Sequence, residues 1–295
     1  MIRSYLRHIY RIAYPLLFSR KQFKLFLKAS LGDINLRMLA LASATDYFSE
    51  FVRPIPVTAP FGRSMLIVAP HQDDETIGCG GALALQVRAG QAASILLLTD
   101  GAEGCEEMGM TRHAMQEMRN EESRLAAAVI HAEPPTFLGH PSLTESFSVT
   151  VEQVRREILQ RTVDVVFIPF VLDGHPDHRT ANYILAEALK DVKREVRVLQ
   201  YEVWGLCIPN VILVIDDVID VKIEMLNQFQ FANTALDYTH STIGLNMFHS
   251  RMLGAGLCRY AERFLELPRA EYVDLVKRVR AAALQGPAAR AAVGS

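Results

Sequence analysis

The stretch S-M-L-I-V-A-P-H-Q-D-D-E-T-I-G-C-G-G, residues 64–81, decides the fold of this chain. Its first seven residues form an almost continuous apolar run of strand length, bounded by polar residues. A helical pattern follows over residues 78–89 and ends at Gly90. A fully apolar strand that leads into a helix is typical of a parallel sheet covered on both faces. We therefore expect this stretch to be the first unit of an α/β domain.

The same alternation continues along the chain. Apolar runs predict further strands at residues 93–99, 136–139, 163–170 and 196–204. Helical patterns fall at residues 110–131, 149–160, 180–191, 221–234 and 271–284. Right-handed crossovers between such strands give a Rossmann-like, three-layer α/β/α fold with a mostly parallel, doubly wound sheet.

Size and composition agree with a globular enzyme-sized domain. The chain has 295 residues, of which 50% are apolar and 22% charged, which excludes a disordered or collagen-like protein. The net charge of −2 argues against nucleic acid as a partner. Four cysteines without a close pair indicate a reducing cytosol. We therefore expect a cytoplasmic protein.

The N-terminus differs from the rest of the chain in charge. Residues 1–30 carry seven basic and no acidic side chains, and Arg3, Arg7 and Arg11 would share one side of a helix. Two interpretations are open: a helix that packs on the main domain or a partner subunit, or a peripheral contact with the inner face of an anionic membrane. Neither a signal peptide nor a membrane span is predicted. We expect a basic helical extension at residues 1–55, a main domain at residues 56–285 and a flexible tail at residues 286–295.

Two polar clusters follow predicted strands. Residues 70–81 place one imidazole and three carboxylates in five consecutive positions, and residues 173–179 read D-G-H-P-D-H-R. In the commonest doubly wound order the first and fourth strands are neighbours, and chemistry lies beyond the carboxyl ends of the strands. We therefore expect both clusters to open into one crevice.

Together the clusters offer the donor set of a catalytic zinc site. His71, Asp74 and His178 would supply three nitrogen or oxygen ligands, with the fourth position left to water. Asp73 and Asp177 then remain for a base or for orienting an imidazole. Each cluster taken alone also has a simpler interpretation, since acidic residues favour a helix start and histidines are common in polar loops.

Residues 66–81 and 173–179 resemble the two signature segments of the PIG-L/LmbE-like family of zinc-dependent N-deacetylases. Similar patterns of that family match T-D-G at 99–101, R-N-E-E at 119–122 and Y-E-V-W at 201–204. Lys222 with Met225, Leu226 and Phe229 extends the resemblance, which covers residues 62–235.

The resemblance implies a role for each matching residue. It assigns Zn²⁺, or another divalent cation, to His71, Asp74 and His178. Asp73 matches the general base, and His175 matches the histidine that assists the tetrahedral intermediate.

Three further positions complete what the resemblance implies. Asp177 would hold His175 in orientation, and Arg119 matches a substrate-contacting position. Gln72 stands where the family usually has proline, which changes the stiffness of the loop but not the ligand spacing.

The substrate implied is a small N-acetylated sugar conjugate of the N-acetylglucosamine type, with the aglycone and the oligomeric state left open. Two alternatives remain: a non-catalytic Rossmann-like module that binds a sugar or nucleotide, and a metal-dependent phosphoester hydrolase. The second would more often use two metals and basic phosphate clamps. Trp204 would line a sugar pocket or pack in the core.

Overall fold

The computed structural model describes residues 54–253 and 256–284. Eight strands form its sheet: β1 (Ile55–Val57), β2 (Ser64–Ala69), β3 (Ala92–Thr99), β4 (Thr136–His140), β5 (Val165–Pro169), β6 (Arg197–Tyr201), β7 (Val211–Val214) and β8 (Ala261–Pro268). The α-helices are α1 (Asp74–Arg88), α2 (Arg112–Val129), α3 (Phe147–Gln160), α4 (Pro176–Leu189), α5 (Ile219–Leu226), α6 (Gln230–Ala235), α7 (Tyr238–Ser250) and α8 (Arg269–Leu284).

The strand order is β1-β7-β8-β6-β5-β2-β3-β4. The strands pair in parallel except β8, which runs antiparallel to both β6 and β7. Strands β2 and β5 are hydrogen-bonded neighbours, in the register Met65 with Val165. The two polar clusters therefore leave the sheet side by side, and the Rossmann-like, mostly parallel fold is confirmed.

Side chains of alternate strand residues build one apolar core on each face of the sheet. Leu66 and Val68 of β2 face α3, α4 and α8, whereas Met65 and Ile67 face α1, α2 and α5. All six residues of β2 are buried, because this central strand is covered on both sides.

The structure differs from the sequence prediction in several elements. Helix α1 begins at Asp74 rather than residue 78, so the acidic cluster lies in its first turn, where carboxylates are favoured by the helix dipole. The single helix predicted at residues 221–234 is divided into α5 and α6. The edge and antiparallel strands β1, β7 and β8, and helix α7, were not predicted. Strands β1 and β7 have only three and four residues, and the charged residues Glu262, Arg263 and Glu266 interrupt the apolar pattern of β8.

The predicted domain boundary at residue 56 falls inside β1. The predicted N-terminal helix at residues 1–30 and the tail at residues 286–295 lie outside the described residues. In the part of the chain that the structure describes, no helix combines the length and the apolar character needed to cross a membrane.

Candidate metal-dependent active site

A crevice of about 630 Å³ lies beyond the carboxyl ends of β2 and β5. Its lining includes His71 and Asp73 from the loop after β2 and Asp74 at the start of α1. From the segment after β5 it includes His175 and, in the first turn of α4, Asp177. Residues about a hundred positions apart thus share one cavity, as expected from the parallel register of the two strands.

Three donor atoms lie at the corners of a nearly equilateral triangle. Asp74 Oδ2 is 3.3 Å from His71 Nδ1 and 3.2 Å from His178 Nε2, and the two imidazole nitrogens are 3.4 Å apart. Ligands about 2.0–2.1 Å from a tetrahedral zinc ion are separated by about 3.3–3.4 Å. The donor set therefore fits a tetrahedral cation without rearrangement.

Each imidazole of this triangle has a carboxylate on its opposite nitrogen. His71 Nε2 lies 3.1 Å from Asp177 Oδ2, and His178 Nδ1 lies 3.1 Å from Asp173 Oδ1. A carboxylate accepts a proton-bearing nitrogen, so both contacts favour the tautomers whose lone pairs face the triangle. Asp173 was not predicted from the sequence as a member of the site, although it is the first residue of the second cluster.

Electrostatics of the triangle also suit a divalent cation. Burial alone lowers the pKa of His71, but hydrogen bonds to Asp177 and Asp74 raise that pKa to about 9. Burial likewise lowers the pKa of His178, but Asp74 and Asp173 raise it to about 10. Burial favours protonated Asp74, yet the two imidazoles outweigh it and hold the pKa of Asp74 well below its usual range. The carboxylates thus stabilise positive charge at the triangle, and a divalent cation would replace the imidazole protons there, because metal ligands bind in their deprotonated form.

Asp73 lies beside the triangle in an unusual backbone conformation. Its φ is +121°, a region that non-glycine residues rarely adopt and that is found at functional sites. Arg119 Nη2 lies 3.3 Å from Asp73 Oδ2 and donates to the Gln72 carbonyl at 2.6 Å. Burial raises the pKa of Asp73 to about 7, although Arg119 opposes this shift. The carboxyl group therefore titrates near neutral pH while lining the crevice.

His175 caps helix α4, and its hydrogen-bond partner is not the Asp177 carboxylate that the resemblance implied. Its Nδ1 accepts the backbone N–H of Asp177 at 3.2 Å, which leaves the proton of a neutral ring on Nε2. The carboxylate of Asp177 contacts His71 instead of orienting His175. Burial and the charges of His71 and His178 lower the pKa of His175, so a neutral N–H donor is favoured.

Two other groups could bring three ligand atoms within 4.8 Å of one another: His71, His175 and His178, and Glu103, His175 and Asp177. Both groups require His175. Its Nδ1 is already an acceptor of a backbone N–H, so its Nε2 carries the proton rather than a lone pair. The triangle that includes Asp74 is therefore the better cation site.

Gln72 is anchored rather than loose. Its side chain is fully buried and donates from Nε2 to Asn120 Oδ1 at 2.8 Å. Gly101, with φ of +64°, leaves room for the Gln72 amide, because a Cβ at position 101 would lie 2.0 Å from Gln72 Oε1. Polar contacts to α2 thus hold the loop at the position where a proline would restrict φ.

One wall of the crevice is aromatic and was only partly predicted. Trp204 is half exposed and meets Tyr238 edge to face, with ring centroids 5.9 Å apart. Phe231 adds a third ring, over which the Arg119 guanidinium lies at 5.5 Å. Trp204 therefore lines the cavity rather than the core, and the surface suits the flat face of a sugar ring.

Comparisons with known proteins find similarity to deacetylases. Residues 66–189 match the family model described as PIG-L: GlcNAc-PI de-N-acetylase. The chain is 28% identical over 142 residues to a diacetylchitobiose deacetylase of Thermococcus kodakarensis, a match that covers 45% of this chain and 52% of the relative. It is 26% identical over 151 residues to a protein of Bacillus anthracis named "Probable N-acetyl-alpha-D-glucosaminyl L-malate deacetylase 2", covering 48% and 66%. The matched stretch spans about half to two thirds of the length of these relatives.

Solved structures share the fold at lower identity. An N,N'-diacetylchitobiose deacetylase from Pyrococcus horikoshii aligns with a TM-score of 0.59 and 21% identity, covering 82% of this chain and 96% of that one. GalB, the 4-carboxy-2-hydroxymuconate hydratase from Pseudomonas putida, aligns with a TM-score of 0.60 and 21% identity, covering 70% and 96%. Because these neighbours carry different activities, the fold alone does not assign the reaction.

Proposed function

We propose that this protein, whose residues 66–189 match the PIG-L family model, is a zinc-dependent hydrolase that removes the N-acetyl group from an amino sugar of the N-acetylglucosamine type. The observation that carries the proposal is the triangle of His71, Asp74 and His178, whose donor atoms lie within 3.4 Å of one another at the wall of the crevice that Asp73 lines. The names of the family and of the two curated relatives support the acyl group and the sugar class.

His71, Asp74 and His178 would hold the cation. When bound there, zinc supplies a water activated near neutral pH and a positive charge facing the acyl oxygen. Asp177 and Asp173 keep the imidazole tautomers fixed, so the ligands need no reorganisation.

Asp73 takes the proton of the attacking water and returns it to the leaving amine. Its location beside the triangle and its contact with Arg119 support this role. Arg119 in turn fixes the carboxylate, because it also donates to the carbonyls of Gln72 and Gly101. Positioned general bases contribute about 10²- to 10⁴-fold in rate.

His175 donates its Nε2 proton as a hydrogen bond to the acyl oxygen as negative charge develops there. The backbone N–H of Asp177 fixes the ring and its tautomer, which makes this donor preorganised. Loss of one such donor typically costs about 10²- to 10³-fold in rate.

The substrate is a sugar conjugate whose ring stacks on the aromatic wall. A cavity of about 630 Å³ accommodates a monosaccharide with part of its aglycone. Trp204 and Tyr238 offer apolar faces next to the proposed cation site.

Metal analysis and an amine-release assay test the proposal together. The purified protein should contain one zinc per chain and release equal amounts of acetate and free amine from N-acetylglucosamine conjugates. Asp73→Asn should keep the metal and lose most of its turnover, whereas His178→Ala should lose the metal. His113→Ala, at an exposed histidine of α2, is the matched control and should keep both.

Phosphate release from phosphoesters with two bound metals would favour the hydrolase alternative. Sugar binding without turnover would favour the binding-module alternative. Either result would contradict the proposed deacetylation.

A further inference from the structure

Helix α1 is broken one turn after it begins. Cys79 has φ −145° and ψ +26°, far from helical values near −63° and −42°. The break separates a short segment at residues 74–78, which carries Asp74, from a longer segment at residues 80–88. A single helical turn is not stable without contacts from other elements.

A break in a helix leaves backbone groups without their usual partners. Here two charged side chains from distant elements bind them. Lys222 Nζ, from α5, donates to the Ile77 carbonyl at 3.0 Å at the end of the first segment. Glu262, from β8, accepts the backbone N–H groups of Gly81 and Ala82 at 2.7 and 2.8 Å at the start of the second.

The two side chains are also bound to each other. Lys222 Nζ lies 2.6 Å from Glu262 Oε1, and their side chains are 0% and 1% exposed. Burying two charges is costly, and such a pair is favourable only when further hydrogen bonds satisfy the remaining groups. In this chain those hydrogen bonds are made to the two sides of the helix break.

Close packing fixes where both segments lie. A Cβ at Gly78 would lie 2.0 Å from the ring of Tyr201, and one at Gly81 would lie 2.6 Å from Ile215. The Tyr201 hydroxyl donates to the Val68 carbonyl of β2 at 3.1 Å. The first segment therefore rests on the central strands, while the thiol of Cys79 donates to its Glu75 carbonyl at 3.2 Å.

We infer that Lys222 and Glu262 are positioning residues that hold the first turn of α1, and with it Asp74, in the geometry of the cation site. The link runs from the turn through the Ile77 carbonyl to Lys222 and Glu262, and from Glu262 to the rest of the helix. The inference rests on the proposed function, because it takes Asp74 to be a metal ligand. Both residues lie outside the stretch matched by the family model.

The test compares Lys222→Met, Glu262→Gln and the double variant with the unmodified protein. Each is measured for zinc affinity by competition with a chromophoric chelator, for thermal unfolding without metal, and for amide hydrogen exchange over residues 74–82. Ile158→Ala is the control, because Ile158 is a fully buried residue of α3 on the opposite face of the sheet. The double variant matters most, since it leaves no unpaired buried charge, which is the main cost expected in each single variant.

We expect all three variants to bind zinc about 10- to 100-fold more weakly, the usual effect of residues that orient a ligand. Exchange over residues 74–82 should become at least tenfold faster, and Ile158→Ala should lower the melting temperature without changing zinc affinity. A double variant with the zinc affinity of the unmodified protein would overturn the inference. If the unmodified protein bound no zinc, the proposed function would fail. Unchanged hydrogen exchange in the double variant would separately refute the role of Lys222 and Glu262 at the helix break.

Discussion

Asp173→Asn should weaken metal binding although it changes only one atom of a residue outside the proposed ligand set. Asp173 is fully buried and each of its oxygens faces hydrogen-bond donors. Oδ1 accepts the backbone N–H of His175 at 2.8 Å and lies 3.1 Å from His178 Nδ1. Oδ2 accepts the backbone N–H groups of Trp204 and Gly205 at 3.0 and 2.9 Å. An asparagine must therefore direct its NH₂ group at a donor in either orientation.

The magnitude follows from these contacts. If the amide nitrogen faces His178, the imidazole loses the partner that directs its Nε2 lone pair at the cation site, and metal affinity should fall about 10- to 100-fold, or about 1.4–2.8 kcal/mol. The backbone N–H of His175 then loses its acceptor as well, so stability falls in this orientation too. If it faces Trp204 and Gly205, two buried N–H groups lose their acceptor. Stability should then fall by about 1–3 kcal/mol.

Zinc affinity by chelator competition and urea unfolding of the metal-free protein distinguish the two orientations. Asp164→Asn is the matched control, because Asp164 also accepts two backbone N–H groups, from Arg63 and Ser64. These contacts lie at the amino ends of β2 and β5, at the opposite end of the strands from the crevice. The control should lose stability only. Wild-type zinc affinity together with wild-type stability in Asp173→Asn would refute the role assigned to this residue.

Three further substitutions test other parts of the site and its surroundings. Trp204→Ala should raise KM for an N-acetylglucosamine conjugate several-fold with little change in kcat, because the exposed ring is expected to stack on the sugar. Steady-state amine release measures both constants, and an unchanged KM would argue against stacking. Gln72→Ala should lower the free energy of unfolding by about 1–3 kcal/mol in urea titrations, since it leaves Asn120 Oδ1 without its donor; a neutral effect would show that the loop does not need this anchor. Burial alone raises the pKa of Glu202, but the charge of Arg263 lowers that pKa below the ordinary value of 4.5. The ionised Glu202 therefore contributes to stability above pH 4.5, and this contribution is lost as the pH falls through the lowered pKa. Glu202→Gln should therefore destabilise the protein by about 3–5 kcal/mol at pH 7 and less in acid, measured as urea midpoints across pH; an equal loss at every pH would contradict this account.

The sequence predicted the parts of the fold and site that depend on local pattern. The apolar runs predicted β2 and β5. Because neighbouring parallel strands have their carboxyl ends on the same side, the sequence also predicted that His71 and His178 lie close together. Contacts made through tertiary structure could not be found in this way. The carboxylate of Asp177 is in the correct loop, but its choice of His71 over His175 depends on the turn that begins α4.

The antiparallel return of β8 explains why the second half of the chain was harder to predict. Glu262 lies 40 residues from its ion-pair partner and 181 from the N–H group of Gly81, and no local pattern connects them. A charged residue in an apolar strand argues against burial unless its partners are known. The presence of Glu262, which binds both Lys222 and the second segment of the broken helix, is therefore also the reason why β8 was not recognised as a strand from the sequence.

The residues proposed to carry out the reaction and those proposed to select the substrate lie in two different regions of the chain. The stretch matched by the family model, residues 66–189, contains the cation triangle, Asp73 and His175. The aromatic wall is formed by Trp204, Phe231 and Tyr238, which all follow that stretch. The match to the family model ends at residue 189, before the aromatic wall, so it carries little information on the aglycone. Because binding energy from parts of a substrate remote from the reacting bond contributes to catalysis, substitutions in the aromatic wall should change which conjugate is hydrolysed while leaving metal affinity unchanged.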